Sequence, residues 1–282
     1  MRADLHSHST ASDGTQPPAD VMRRAAAADL DVIALTDHDT VAGHFEAAAA
    51  LSPGLTLLPG MELSCRIEGH SVHILAYLFD PGNERLAGET AEIRESRLYR
   101  ARAMVDKLAA LGAPVTWDQV SEIAAGGVVG RPHIARALVN AGVVSSVEEA
   151  FGPEWLGPGG RAHVPRYALD PARAIGLVAA AGGVTVLAHP RGSARGWRIP
   201  DEVIAELAGV GLTGVEVYHP QHDEAERARL AALATRLGLV VSGGSDDHGE
   251  LTGFRIGTVI APEDAYGQLV DRASGAVPVT AA

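Results

Sequence analysis

Two histidines, His6 and His8, flank a single serine near the start of the chain. In an extended segment alternate side chains point to the same side, so both imidazoles face one way. Imidazole is a common ligand for Zn, Mn, Fe and Ni. An isolated pair of this kind arises by chance, so the chemistry rests on what accompanies it. Asp37-His38-Asp39 follows the apolar run Asp31–Thr36, Glu62 closes Leu57–Met61, and His73 sits inside Val72–Tyr77. His189 follows Val184–Ala188, and Asp246-Asp247-His248 follows Leu239–Ser242 through Gly243-Gly244-Ser245. Singly, each has a bland reading. His73 could be a hydrogen-bonded core histidine and Glu62 a surface or capping residue. Asp37 or Asp39 could be a helix N-cap, and Asp13, in Ser12-Asp13-Gly14, a turn residue. Together they recur at one topological place. Buried acids and imidazoles at that density need cations or partners to offset their desolvation.

The elements that must position these residues alternate. Ala3–His6 reads as a strand, Pro17-Pro18 opens an Ala-rich helix to about Asp29, Asp31–Thr36 is a buried strand, and a helix follows near Thr40–Leu51. Leu55–Leu63 and Ser71–Phe79 read as strands. From Glu84 to Leu111 the pattern becomes one long charged helix with Ile93, Leu98, Val105 and Leu108 at helical spacing; shorter helices follow near Trp117–Ala125 and Pro132–Ala141. Alternation then resumes: helix Pro171–Ala181, strand Val184–Ala188, helix Asp201–Val210, strand Gly214–Val217, helix Glu224–Leu237, strand Leu239–Ser242. Strand–helix alternation indicates a parallel sheet covered by helices. A parallel barrel places function at the C-terminal ends of its strands. The expected organisation is a barrel in two parts, residues 1–82 and 166–282, with a helical insertion over 83–165 between the Pro/Gly-rich segments Asp80–Asn83 and Gly152–Gly160.

Composition bounds the function. With 282 residues and 46% apolar content, a full core is within reach. No apolar run approaches the ~18 residues of a membrane span, and no apolar stretch behind Arg2 suggests a signal peptide. Cys65 is the single cysteine, which excludes an internal disulfide or a Cys-rich zinc site. A reducing, cytoplasmic location is the expectation. A net charge of −12 disfavours stable binding of duplex nucleic acid, while bound cations would offset several carboxylates. Lys107 is the only lysine; it sits in the long polar helix, which argues against Schiff-base chemistry or a lysine bridging two metals.

The segments Asp4-Leu5-His6-Ser7-His8, Ser12-Asp13-Gly14, Thr36-Asp37-His38-Asp39, Gly60-Met61-Glu62, His73-Ile74-Leu75, Ala188-His189-Pro190 and Gly244-Ser245-Asp246-Asp247-His248 together resemble the PHP (polymerase and histidinol phosphatase) family. The resemblance spans the whole barrel and is closest to stand-alone PHP phosphoesterases acting on nucleotides. It implies an α/β fold, a distorted (β/α)7-type PHP barrel with a helical insertion, and a site for two or three divalent metals (Mn, Fe or Zn). It also implies nine ligands. His6, His8, Glu62 and Asp246 would hold one metal, the bridging Glu62 with His73 and His189 a second, and Asp13, His38 and His248 a third. Asp247 departs from the pattern, standing where an aromatic residue is common. Two such metals about 3.5–4 Å apart can share a hydroxide and clamp the attacking and leaving oxygens of a phosphate ester.

Arg131, in Arg131-Pro132-His133 at a helix start, is a candidate phosphate grip. His133 and His222 join it as candidate substrate contacts. Arg191, Arg195 and Arg198 read as loop solvation. The expected partner is a small phosphorylated substrate, a nucleotide or short oligonucleotide. Two alternatives stand beside the phosphoesterase reading: a metal-dependent amidohydrolase, against which the lone lysine counts, and a non-catalytic metal-stabilised module. Substrate, metal identity and oligomeric state are left open by the sequence.

Overall fold

The structure is a computed structural model that describes residues 1–124, 129–157, 159–165, 167–192 and 197–281. The chain divides into two compact units, Met1–Thr90 with Ala168–Ala282, and Ala91–Tyr167.

In the first unit seven strands pair in chain order: β1 (Ala3–Asp4), β2 (Val32–Leu35), β3 (Thr56–Ile67), β4 (His70–Tyr77), β5 (Val184–Leu187), β6 (Gly214–Tyr218) and β7 (Val240–Gly243). The short β8 (Val279–Thr280) pairs with β3 off that path. The last strand returns to the first through the residues beyond β1. Leu5 N–H donates to Gly243 O at 3.2 Å, Asp246 N–H to His6 O at 2.9 Å and His8 N–H to Asp247 O at 2.9 Å. The sheet is therefore a nearly closed, helix-covered α/β barrel. This closure needs Gly244, where an added Cβ would lie 2.5 Å from His6 Cβ.

Helices α1 (Pro18–Ala27), α2 (His44–Ala49), α7 (Pro171–Ala180), α8 (Asp201–Gly209), α9 (Glu224–Leu237) and α10 (Ala265–Arg272) belong to this unit. Their ends follow local chemistry. Pro18 opens α1, the Asp223 carboxylate accepts from Glu226 N at the start of α9, and Gly238 at φ 67 ends it. The core packs Ala34, Leu58, Leu75, Tyr77 and Val186 from the strands with Ala265 and Leu269 of α10.

One expectation of a wholly parallel barrel is corrected. β3 and β4 form an antiparallel hairpin, and β4 also pairs antiparallel with β5. The hairpin turns through Glu68 and Gly69, both with positive φ (48 and 86), as a tight two-residue turn requires. Glu62 thus lies within the long β3 rather than closing a strand.

The second unit takes most of α3 (Glu84–Ala110), with α4 (Trp117–Ile123), α5 (Arg131–Asn140) and α6 (Val147–Ala150). Met104, Leu108, Val120, Ile134 and Leu138 form its core. Thr116 and Gln119 form a capping box on α4; Ala125, the expected end of this helix, lies outside the described residues. Lys107 donates to His163 O at 2.7 Å.

Candidate metal centre

Residues just past the ends of β1, β2, β5 and β7 and residues within β3 and β4 bring polar groups together, and they meet at Glu62, which is 1% exposed. Its Oε2 faces His6 Nε2 at 3.4 Å, His8 Nε2 at 3.2 Å and His38 Nδ1 at 3.1 Å. Its Oε1 faces His189 Nε2 at 3.0 Å and contacts His73 Nδ1. Asp246 Oδ1 lies 3.3 Å from both His6 Nε2 and His8 Nε2 and 3.6 Å from His248 Nδ1. Asp13 completes the far side, 3.4 Å from His248 Nε2 and 3.8 Å from His38 Nε2. All nine residues named from the sequence therefore lie in one network.

Three overlapping groups have ligand atoms within 4.8 Å of one another: His6, His8, Glu62 and Asp246; His8, Asp13, His38 and His248; His38, Glu62 and His73. The first matches the grouping expected from the sequence. The second adds His8 to the expected trio, and the third places His38 beside Glu62 and His73, with His189 against the same Glu62 oxygen as His73. The geometry is one continuous cluster in which His8, His38 and Glu62 each belong to two groups.

The donor set fits divalent cations. It is all imidazole nitrogen and carboxylate oxygen, suited to Mn, Fe or Zn. The ring nitrogens of His6 and His8 point at each other across 3.1 Å, and His8 Nδ1 is buried with no hydrogen bond among the described residues. Without cations the cluster balances itself with protons. Burial alone would lower the His8 pKa, but Asp246 and Glu62 raise it to about 10. Burial would raise the acids. Instead His38, His73 and His6 hold Glu62 well below its usual range, His38 and His248 do so for Asp13, and His6 and His219 for Asp246.

Backbone strain marks the same place. His189 (φ 29), Asp246 (φ 49) and Asp39 (φ 55) adopt the left-handed region, which costs L residues energy and persists only where surroundings enforce it. The antiparallel β4 explains His73. It enters from the first half of its strand, opposite Ser64, because β4 runs against its neighbours.

The supporting residues were only partly expected. Asp37 does not cap α2, whose N-cap is Gly43. Its carboxylate accepts from Ser9 N at 2.8 Å, Ser9 Oγ at 2.7 Å and Ser12 Oγ at 2.6 Å. Asp39 accepts from Ser64 N and Oγ at 2.7 and 2.8 Å. Asp247, the departure from the family pattern, is fully buried and accepts from Gly249 N, Thr252 Oγ and Arg255 N. It stitches the loop after β7 through these hydrogen bonds. Glu216 and His219, both at β6, were not singled out from the sequence. Glu216 accepts from His6 Nδ1 at 3.0 Å and His219 Nε2 lies 3.2 Å from Asp246 Oδ2. The one available signal was a lone acid within the apolar Val215-Glu216-Val217.

Of the candidate substrate residues, His222 has both ring nitrogens engaged by backbone, Nδ1 with Val217 O at 2.9 Å and Nε2 with Arg191 N at 3.2 Å. Arg131 opens α5 with its guanidinium 5.3 Å from the Phe151 ring centre. His133 Nδ1 accepts from Gly130 N at 3.0 Å. Arg191 pairs with Asp201 and Arg198 with Glu226; Arg195 lies outside the described residues. No helix among the described residues is long and apolar enough to cross a membrane.

Comparison with known proteins agrees with this geometry. Residues 4–112 match the model of the PHP domain. The chain is 37% identical to a 3',5'-nucleoside bisphosphate phosphatase of Chromobacterium violaceum, over 89% of each chain. It is likewise 37% identical to a 5'-3' exoribonuclease of Haemophilus influenzae, over 87% of this chain and 89% of the relative. A solved structure from Bifidobacterium adolescentis described as a metal-dependent phosphoesterase superposes with a TM-score of 0.88 at 34% identity, covering 96% of both chains. The chain belongs to the PHP family of metal-dependent phosphoesterases.

Proposed function

We propose that this phosphoesterase acts on nucleotides, releasing phosphate from nucleoside bisphosphates or mononucleotides, or nucleotides from the 5' end of short RNA. The observation that carries the hydrolytic reading is the overlap of three ligand groups through His8, His38 and Glu62. The nucleotide class is supported by the relatives, since both curated proteins named above act on phosphate esters of nucleotides or RNA.

In this reading His6, His8, Glu62 and Asp246, His73 and His189, and Asp13, His38 and His248 hold two or three divalent cations, Mn, Fe or Zn. Such cations supply Lewis acidity toward phosphoryl oxygens and activate water for in-line attack. The serine hydroxyls beside the first ligands are committed elsewhere: Ser7 Oγ donates to Ala34 O, and Ser9 and Ser12 donate to Asp37. No serine nucleophile is needed. Burial of Glu62, His6 and His8, each 1% exposed or less, strengthens the charge interactions among them. Arg131 and His133 are kept as candidate phosphate contacts; His222, whose ring nitrogens already meet Val217 O and Arg191 N, is not. Arg131, whose planar fork suits a phosphate, is the first of these to test: Arg131→Ala is expected to raise KM by roughly tenfold or more with kcat held within about threefold.

The test is a product-release screen on the full chain with Mn, Fe or Zn. The substrates are a nucleoside 3',5'-bisphosphate, a mononucleotide and 5'-phosphorylated RNA of graded length. Hydrolysis of at least one nucleotide class is expected. A protein that binds metal yet cleaves none of these, while hydrolysing other phosphate esters, would overturn the nucleotide assignment.

A further inference from the structure

β6 carries none of the candidate ligands, yet it and the residue just past its end send two buried ionisable side chains into the cluster. Glu216 is 1% exposed and His219 is fully buried. Both carboxylate oxygens of Glu216 are used. Oε1 accepts from His6 Nδ1 at 3.0 Å and Oε2 accepts from the backbone N–H of His189 at 2.7 Å. With Nδ1–H donated to Glu216, His6 turns its Nε2 to the cluster, toward His8 Nε2 at 3.1 Å, Asp246 Oδ1 at 3.3 Å and Glu62 Oε2 at 3.4 Å. The second bond fixes the backbone of His189 where it is strained, at φ 29.

His219 makes a matching arrangement. Its Nδ1 accepts the Gln221 N–H at 3.1 Å, so its proton is on Nε2 and is donated to Asp246 Oδ2 at 3.2 Å. The other Asp246 oxygen is left facing His6 and His8 at 3.3 Å. Asp246 also has a strained backbone, at φ 49.

We propose that Glu216 is a positioning residue that fixes the His6 tautomer and the His189 backbone for cation binding, and that His219 does the same for the Asp246 carboxylate. One strand without a ligand thus aims ligands from β1, β5 and β7. Groups that orient a metal-bound imidazole or carboxylate set its basicity and direction, and losing one costs about 10–100-fold in metal affinity. The inference rests on the reading of the cluster as a metal centre.

The experiment measures Mn²⁺ affinity by competition with a chelator at one pH, using the full chain. Glu216→Ala is expected to bind Mn²⁺ about 10–100-fold more weakly. Glu216→Gln keeps an oxygen that accepts from His6 but loses the acceptor for His189, so its loss is expected to be smaller. In a His6→Ala background, removing Glu216 is expected to cost much less than in the wild type, because its main partner is gone. An unchanged affinity in Glu216→Ala overturns the proposal, and so does an equal loss in both backgrounds, which marks a generally structural residue. If Glu216→Ala does not fold, Glu216→Gln decides: weakened binding with an unchanged melting temperature of the metal-free protein supports the assignment, and wild-type affinity overturns it. His219→Ala at wild-type affinity removes His219 from the proposal. A wild-type chain that binds no Mn²⁺ overturns the metal-centre reading itself, an outcome distinct from all of these.

Discussion

β3 and β6 each bring one glutamate into the barrel interior, and Glu62 and Glu216 are equally buried at 1% exposure. Their surroundings differ. The Glu62 oxygens face five imidazoles, those of His6, His8, His38, His73 and His189. Those of Glu216 face one imidazole and one backbone N–H. Both carboxyls are held low against burial, which opposes ionisation; His38, His73 and His6 overcome it at Glu62, and His6 and His219 at Glu216. Burial and ionisation alone therefore do not separate the two roles. What separates them is how many partners each oxygen gathers. Each Glu216 oxygen holds one directed hydrogen bond, whereas the two Glu62 oxygens face two and three imidazoles, a set that cations can share.

The strongest way to break this contrast is Glu62→Ala. If Glu62 is the shared ligand, kcat/KM for a nucleotide substrate should fall by at least about a thousandfold, roughly 4 kcal/mol of transition-state stabilisation. Metal content should fall with it. A loss no larger than that of Glu216→Ala would erase the distinction between ligand and orienter.

Proton competition gives the next largest effect. His8 has its pKa lifted to about 10 by Asp246 and Glu62 against burial. A histidine whose folded pKa exceeds its unfolded value stabilises the metal-free protein fully below about 6.5, and that stability is lost as pH rises through about 10. A cation must displace the same proton, so apparent Mn²⁺ affinity should rise with pH across that window, by up to about tenfold per unit for each proton released. Titrations at a series of pH values check this. Affinity that is flat with pH would show that the nitrogens are not protonated in the metal-free state.

A smaller effect is expected at Asp247, beside the ligand Asp246 but turned away from the cluster. Asp247→Ala strands the backbone N–H groups of Gly249 and Arg255, which should cost roughly 2–4 kcal/mol of stability. Asp247→Asn, which keeps one acceptor, should cost less. Denaturant unfolding of the metal-free protein measures both. A stability loss near zero would mean that the loop finds other partners and that Asp247 does not replace the aromatic residue as a structural support.

Much of this was readable from residue order because a ligand at a strand end leaves a local mark: a charged or imidazole residue just past an apolar run, as at His38, His189 and Asp246. Strand–helix alternation also located the barrel elements up to β7 to within a few residues, while α10 and β8 were not foreseen. Direction was harder. The sign that β4 runs antiparallel was the short connection between Leu63 and Ser71, too short for a parallel crossover, and Glu62 was read as ending a strand that continues to Ile67. The orienting residues were hardest. Glu216 lies inside Val215-Glu216-Val217, and its meaning depends on His6, which the fold brings to it from the other end of the chain. The Asp37 and Asp39 carboxylates resembled helix caps because a cap and a loop-stapling acid have the same local sequence. The departure at Asp247 was visible at once, but its compensation by Gly249, Thr252 and Arg255 was not.

The smallest expected effect tests the contrast from the β3–β4 side. Ser71 Oγ lies 3.4 Å from His73 Nε2 in a part-buried position. The geometry resembles that of Glu216 and His6, with a second residue touching the outer nitrogen of a candidate ligand. The physics differs, because the contact is long and neutral, whereas the Glu216 bond is shorter, buried and charged. Charge-assisted hydrogen bonds are about twice as strong as neutral ones, and a contact near the distance limit contributes little. Ser71→Ala should therefore change Mn²⁺ affinity by less than about threefold, well under 1 kcal/mol. If it weakens binding as much as Glu216→Ala, the charge on Glu216 is not what matters. Any side chain at an imidazole's outer nitrogen would then serve, and the special standing of β6 would reduce to packing.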